Sequence, residues 1–213
     1  MFILPSPDRE SRRSKNKDNK KKLSPLVIAS AVVGILLIVG VVAQALFPVP
    51  GVPNLFGGVK VEDMYQQALD LVESGDADAA LAALAQVIQR DPQMMDARLT
   101  RARVLLEVEM KDATSAKANR EQAQDDLAIV IAAQPDNGEA YFLRGKAALL
   151  LGQVNNAIVD LNKATELDPR NLEAYKLRGQ AYLVTSLFAQ ALNDFNYILD
   201  QEPENADALL RRA

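Results

Sequence analysis

The chain has 213 residues, with 24 Lys+Arg and 28 Asp+Glu for a net charge of −4, and it contains neither Cys nor His. That length holds one domain or two small ones. Without Cys and His there are no disulfides, zinc sites, haem ligands, thiol nucleophiles or Ser-His machinery, so neither cofactor nor metal is expected and the chain is not expected to be an enzyme. The charge is split: residues 1–24 carry eight basic and three acidic side chains, Lys60 adds one positive charge, and residues 61–213 carry 15 basic and 25 acidic, or −10. A uniformly basic nucleic-acid binder is ruled against, and no nucleic-acid partner is expected.

Residues 1–24 are polar and Lys-rich, which predicts a disordered tail. No charge occurs from Leu23 to Val59, and Leu26 to Phe47 is apolar apart from Ser30 and Gln44. These 22 residues would make roughly 33 Å of helix at ~1.5 Å each, against a hydrocarbon core of about 30 Å. A transmembrane helix is therefore expected over 25–47. The eight basic residues lie before it and only Lys60 follows within the next 15 residues. The positive-inside rule then puts the N-terminus in the cytoplasm and the rest on the periplasmic or luminal side. Ala43-Gln44-Ala45 also has the small-x-small form of a signal-peptidase site, so cleavage at Ala45 and release of a soluble exported protein is the alternative. Ser30 and Gly34 form a small-xxx-small pair, a weak signal for packing of two spans. Pro48, Pro50 and Pro53, then Gly57-Gly58, make 48–60 an extended linker.

The remainder is periodic. Pro135, Pro169 and Pro203 are 34 apart, and Pro92 lies 43 before Pro135, which is 34 plus a nine-residue insertion. The repeats are 61–94, 95–137, 138–171 and 172–205, with a partial one at 206–213. Position 8 is small in each (Ala68, Ala102, Gly145, Gly179) and position 20 is always Ala (Ala80, Ala123, Ala157, Ala191). Position 24 is large and apolar: Leu84, Leu127, Leu161, Phe195. Small residues at 8 and 20 let two helices approach closely, position 24 fills the space beside them, and the proline ends the second helix. Ser74-Gly75-Asp76 and Leu151-Gly152-Gln153 supply the turns between helices. The insertion, rich in Ala and charge and free of Gly and Pro over 107–120, is expected to lengthen both helices of its pair, with Asp112 or Thr114 as cap. In the last fragment Leu209 and Leu210 are expected to cover part of the helix bearing Phe195, Tyr197 and Ile198.

Tyr141 and Tyr175 at position 4, within the Tyr-x-x-Arg-Gly-x-Ala segments 141–147 and 175–181, complete a pattern that resembles the tetratricopeptide repeat. Met64 and Arg98 occupy that position in the first two repeats, which match less closely. The resemblance implies an all-α fold: one transmembrane helix followed by an α-solenoid of antiparallel helix pairs, wound as a right-handed superhelix. It also implies a concave groove lined by the first helices, mainly at positions 2, 5, 9, 12 and 13.

On that mapping the groove residues are Tyr65, Leu99, Phe142 and Lys176 at position 5, and Arg103, Lys146 and Gln180 at position 9. The expected groove is apolar at its N-terminal end and basic from repeat two onward. It would hold a peptide segment of a partner protein with an apolar anchor and an acidic residue or a free C-terminal carboxylate; the plain alternative is a solvated helix face. A second constellation reads as structural. Arg at position 7 (Arg101, Arg144, Arg178) and Asp at position 23 (Asp126, Asp160, Asp194) occur together in repeats two to four and are both missing from repeat one, which has Gln67 and Ala83. That is the signature of an ion pair clipping the two helices of each repeat. Bacterial proteins with one N-terminal span and a repeat array look like this whole chain, and serve as scaffolds, chaperones or assembly factors at membranes. A self-assembling, homo-oligomeric membrane protein is the other reading.

Overall fold

The computed structural model describes residues 59–108 and 112–212. The expected tail, span and all of the linker except Val59 and Lys60 lie outside them. Among the described residues no helix is long and apolar enough to cross a membrane.

Nine helices follow one another among the described residues: α1 (Val61–Glu73), α2 (Ala77–Arg90), α3 (Met95–Glu107), α4 (Ala113–Ala133), α5 (Gly138–Leu150), α6 (Val154–Leu167), α7 (Leu172–Val184), α8 (Phe188–Gln201) and α9 (Ala206–Arg212). Each packs on the next, giving four helix pairs and a final short helix. Across the intervening second helices, α3 also touches α5, and α5 touches α7. The first helices therefore form the inner face of the stack.

Local chemistry sets the boundaries. Asn137, Asn171 and Asn205 follow their prolines by two residues, and each side chain accepts the amide three residues on, at 3.0 Å. These N-caps start α5, α7 and α9. Met94 stands at the same place before α3 and makes no side-chain cap. The turns within pairs close with six-residue bonds: Asp76 N–H to Leu71 C=O at 3.1 Å, Gln153 to Ala148 at 2.8 Å and Leu187 to Tyr182 at 2.8 Å. This closure needs a left-handed residue, which is Gly75 (φ +79°), Gly152 (φ +74°) and, in repeat four, Ser186 (φ +61°).

The core runs through the stack as linked clusters. Leu84, Val87 and Ile88 pack with Ala97 of the next repeat. Leu127 and Val130 pack with Ala140 and Leu143, Leu161 and Ala164 with Ala174, and Phe195 and Ile198 with Ala208. Each junction thus inserts a small residue at position 3 of the following helix. No pair buries its apolar side alone, so stability is carried by neighbouring interfaces. The helices approach equally closely in repeats three and four, where a Cβ on Gly145 would stand 2.8 Å from Leu161 and one on Gly179 2.8 Å from the Phe195 ring.

Two expectations are corrected. The insertion lengthens the second helix of its pair and not the first. α3 has 13 residues, like α1, α5 and α7, whereas α4 has 21 against 14 in α2, α6 and α8. The reason is local: Val108 is extended (ψ 122°), which stops α3, and the Asp112 carboxylate accepts the Ser115 amide at 2.8 Å, which starts α4 early. Residues 109–111 lie outside the described ones. At the other end, Ala208 makes the buried contact with Phe195 and Ile198, while Leu210 is 77% exposed and Leu209 40%. With Ala208 at position 3 turned inward, the next two side chains rotate off that face.

Candidate functional site

The structure places the Arg–Asp sets between the paired helices. Arg144 donates from Nε and Nη2 to both oxygens of Asp160, at 2.8 and 2.7 Å, and lies over the Tyr141 ring at 5.7 Å. The Asp160 bond holds the Arg144 guanidinium above its ordinary pKa, against the opposing effect of burial. Asp126 is buried and takes two guanidinium groups: Arg101 at 2.7 Å to each oxygen and Arg98 at 3.1 Å. Arg98 thus fills with charge the place that tyrosine holds in repeats three and four, and it also donates to the Pro92 carbonyl at 3.2 Å.

Arg178 is the most connected. It donates to both oxygens of Asp194, at 2.9 and 2.6 Å, and reaches back into repeat three to Asn162 and Thr165. The Tyr182 hydroxyl donates to the same Asn162 oxygen at 3.1 Å. Tyr175 lies 5.0 Å beneath the guanidinium and stacks on Tyr197 at 4.2 Å. Burial pushes the Asp194 carboxyl above its ordinary pKa, and the bond from Arg178 draws it part of the way back. These groups are structural. They clip the two helices of each pair together, Arg98 and Arg178 also reach the preceding repeat, and the sets leave little capacity for a ligand.

On the inner face the expected strip divides. The Tyr65 hydroxyl shares a 2.9 Å hydrogen bond with Thr100 Oγ1, joining repeats one and two. Leu99 and Phe142 are half-buried and packed on the core clusters. Arg103 is ion-paired with Glu139 of the next repeat, its Nε donating at 3.2 Å. Lys176 is ion-paired with Glu173, one turn before it. Gln180 is half-buried. Only Lys146, among the three cations of the strip, has no carboxylate within 4 Å among the described residues.

The reason is a feature that sequence reasoning missed. Position 2 is acidic in all five blocks: Glu62, Asp96, Glu139, Glu173 and Asp207. An acid at position 2 lies one turn from position 5 of its own helix, where Glu173 meets Lys176, while Glu139 instead reaches Arg103 at position 9 of the helix before it. The inner face is therefore a ladder of alternating charge with one uncommitted ammonium. Phe142 lies four residues before Lys146, on the same face of α5. The two place a half-buried aromatic ring and a cation one turn apart. Among the described residues no group of three His, Cys, Asp or Glu could hold a metal ion.

A stack of helix pairs with a polar inner face and structural Arg–Asp clips defines a helical-repeat interaction domain. Residues 71–118 match the family described as tetratricopeptide repeat and residues 145–184 that described as TPR repeat. Both matched stretches are tetratricopeptide repeats and lie within the repeat blocks of the sequence. No curated protein sequence matches it. Among solved structures, MamA from Desulfovibrio magneticus RS-1 is 24% identical, with 69% of this chain and 78% of that one covered and a TM-score of 0.60. A thermophilic TPR protein of Thermus thermophilus is 20% identical over 88% and 92%, with a TM-score of 0.59. The first TPR of Spaghetti (RPAP3), bound to the HSP90 peptide SRMEEVD, is 20% identical over 60% and 94%, with a TM-score of 0.53. At these identities the likeness is one of fold.

Proposed function

We propose that this protein is a membrane-anchored scaffold that holds extended peptide segments of partner proteins along its inner face and so assists assembly or chaperoning of a membrane or envelope complex. The tetratricopeptide-repeat matches at 71–118 and 145–184 support a protein-binding role. The apolar, charge-free run at 26–47 supports the anchor, with the repeat domain on the periplasmic or luminal side. Anchoring would raise the effective concentration of the domain beside membrane-bound targets.

The observation that carries the reading is the pairing of Phe142 with Lys146. Arg103 and Lys176 already have carboxylate partners, so a ligand gains little by displacing those. Lys146 has no carboxylate within 4 Å among the described residues and lies one turn along α5 from Phe142, which fits a peptide with one acidic group and one apolar side chain. The HSP90 peptide held by the Spaghetti domain has that composition, with two Glu, one Asp, a Met and a Val.

The test is fluorescence anisotropy of the labelled peptide SRMEEVD with the full chain in detergent micelles. Binding is expected to be saturable and to weaken about tenfold with Lys146→Glu, as for loss of a charge-assisted bond. Arg103→Glu and Lys176→Glu should each have a smaller effect. Equal affinity for wild type and the Lys146 variant would sink the assignment of that site.

A further inference from the structure

The Arg–Asp sets of repeats three and four differ by one donor. Arg178 gives Nε and Nη2 to Asp194, and its Nη1 reaches back into repeat three, to the carboxamide oxygen of Asn162 at 3.1 Å and to the Thr165 hydroxyl. Asn162 and Thr165 stand at positions 25 and 28 of their repeat. Arg144 gives Nε and Nη2 to Asp160 in the same way. Positions 25 and 28 of the repeat behind it are Ala128 and Ile131, whose side chains carry no acceptor. Arg144 Nη1 accordingly has no hydrogen-bond partner among the described residues. Where repeats one and two meet, the same positions hold Ala85 and Ile88, but there Arg98 sets a second guanidinium on the shared carboxylate, Asp126.

At the place of the missing acceptor is an open pocket of about 440 Å³. Asp125 and Ala128 line it from α4, Val159 and Asp160 from α6, and Arg144 from α5. Gln124 donates to Gln153 at 3.0 Å and so joins the two repeats beside it. Ala128 and Val159 are both exposed, which leaves an apolar lip for the methylenes of an incoming side chain.

Charge and hydrogen bonding select the occupant. Arg144 and Asp160 neutralise each other. Asp125 is exposed and has no cation within 4 Å among the described residues, so the pocket keeps one negative charge. A carboxylate or phosphate is repelled by it, and an ammonium or guanidinium would face the N–H of Arg144. A neutral carboxamide satisfies both groups: its oxygen accepts from Arg144 Nη1, and its NH2 donates to the Asp125 carboxylate. The next junction displays half of that arrangement within the chain, since Arg178 Nη1 donates to the Asn162 carboxamide.

We propose that this pocket takes the side-chain carboxamide of an Asn or Gln on a partner protein, at a site separate from the inner face. The reporter is the Arg144 Nε–H signal in 15N-correlated spectra of the full chain in detergent micelles, identified by its loss in Arg144→Lys. The probes are N-acetylglutamine methylamide and the glutamate and lysine compounds with the same main chain. The glutamine probe is expected to shift the signal saturably, with a half-saturation about tenfold lower than either of the others, as for one added hydrogen bond. Ala128→Asn copies Asn162 at an exposed position and supplies the acceptor from the chain itself, so it should abolish the shift with helical circular dichroism unchanged. Asp125→Asn removes the carboxylate that receives the NH2 and should bring the glutamine and glutamate probes within about threefold of each other. Equal half-saturation for the three probes, or no saturable shift with glutamine, would overturn the proposal. So would a preference for glutamate, which would make the pocket an anion site, or a response that persists in Ala128→Asn.

Discussion

The first and fourth repeats share a helix-pair geometry and differ in what holds and what faces them. Repeat one has no Arg–Asp clip. Gln67 and Ala83 stand at those positions, and its polar links to repeat two are the Tyr65–Thr100 bond and the Arg98 bonds to the Pro92 carbonyl. Repeat four has Arg178 bound to Asp194 and to Asn162 and Thr165 of the preceding repeat. The difference teaches what an arginine on the first helix can add: Arg178 clips its own pair through Asp194 and also reaches the repeat behind it, and α1 has no described helix behind it. The outward surfaces run the opposite way. α1 turns carboxylates to solvent, while repeat four, the more tightly tied, leaves apolar side chains bare.

The sharpest way to break this contrast is to remove a clip. Asp126→Ala leaves Arg98 and Arg101 without their carboxylate and should destabilise the domain by about 3–5 kcal/mol in urea unfolding, as for breaking a buried pair. Gln67→Ala in repeat one should change stability by less than about 0.5 kcal/mol. Close packing comes next. Gly179→Ala puts a methyl 2.8 Å from the Phe195 ring and should cost about 1–3 kcal/mol, whereas repeat one already carries Ala68 at that position. The turns give a smaller effect of opposite sign. Ser186 holds a left-handed conformation that glycine holds in repeats one and three, so Ser186→Gly should stabilise by about 1 kcal/mol, read as a higher thermal midpoint.

How much of this was legible follows from distance along the chain. The 34-residue period, the small residues facing position 24 and the co-occurrence of Arg and Asp are recurrences within the sequence, and each has a local geometric cause. The partners of Arg103 and Lys176 were harder. Arg103 meets Glu139 from the next repeat, a contact set by how pairs stack. The signal was present, since position 2 is acidic in every block, but it gains meaning only once positions 2 and 9 are adjacent in space. The insertion differs from its expected form for another reason. Composition shows that 107–120 suits a helix, but not that Val108 turns extended and Asp112 caps, which assigns the added turns to α4 alone.

The smallest effect concerns that cap. Bonds from Ser115 hold the Asp112 carboxyl below its ordinary pKa of 3.8. A depressed carboxyl contributes stability that is present above the unfolded value and lost as pH falls through the lower, folded one. Amide chemical shifts in the first turn of α4 should therefore stay helical down to about pH 3.8 and move toward coil below it. Asp112→Asn should remove that pH dependence while keeping a cap.

The central claim is that partners are held on the inner face, beside Lys146. Site-specific photo-crosslinking in native membranes addresses it directly, with a photoreactive side chain at Phe142 on the inner face or at Val159, which is 68% exposed on the second helix of the same repeat. The account predicts discrete protein adducts from position 142, lost when Lys146→Glu is added, and none of the same size from position 159. The same adducts from both positions, or adducts at 142 that ignore the charge reversal, would contradict it.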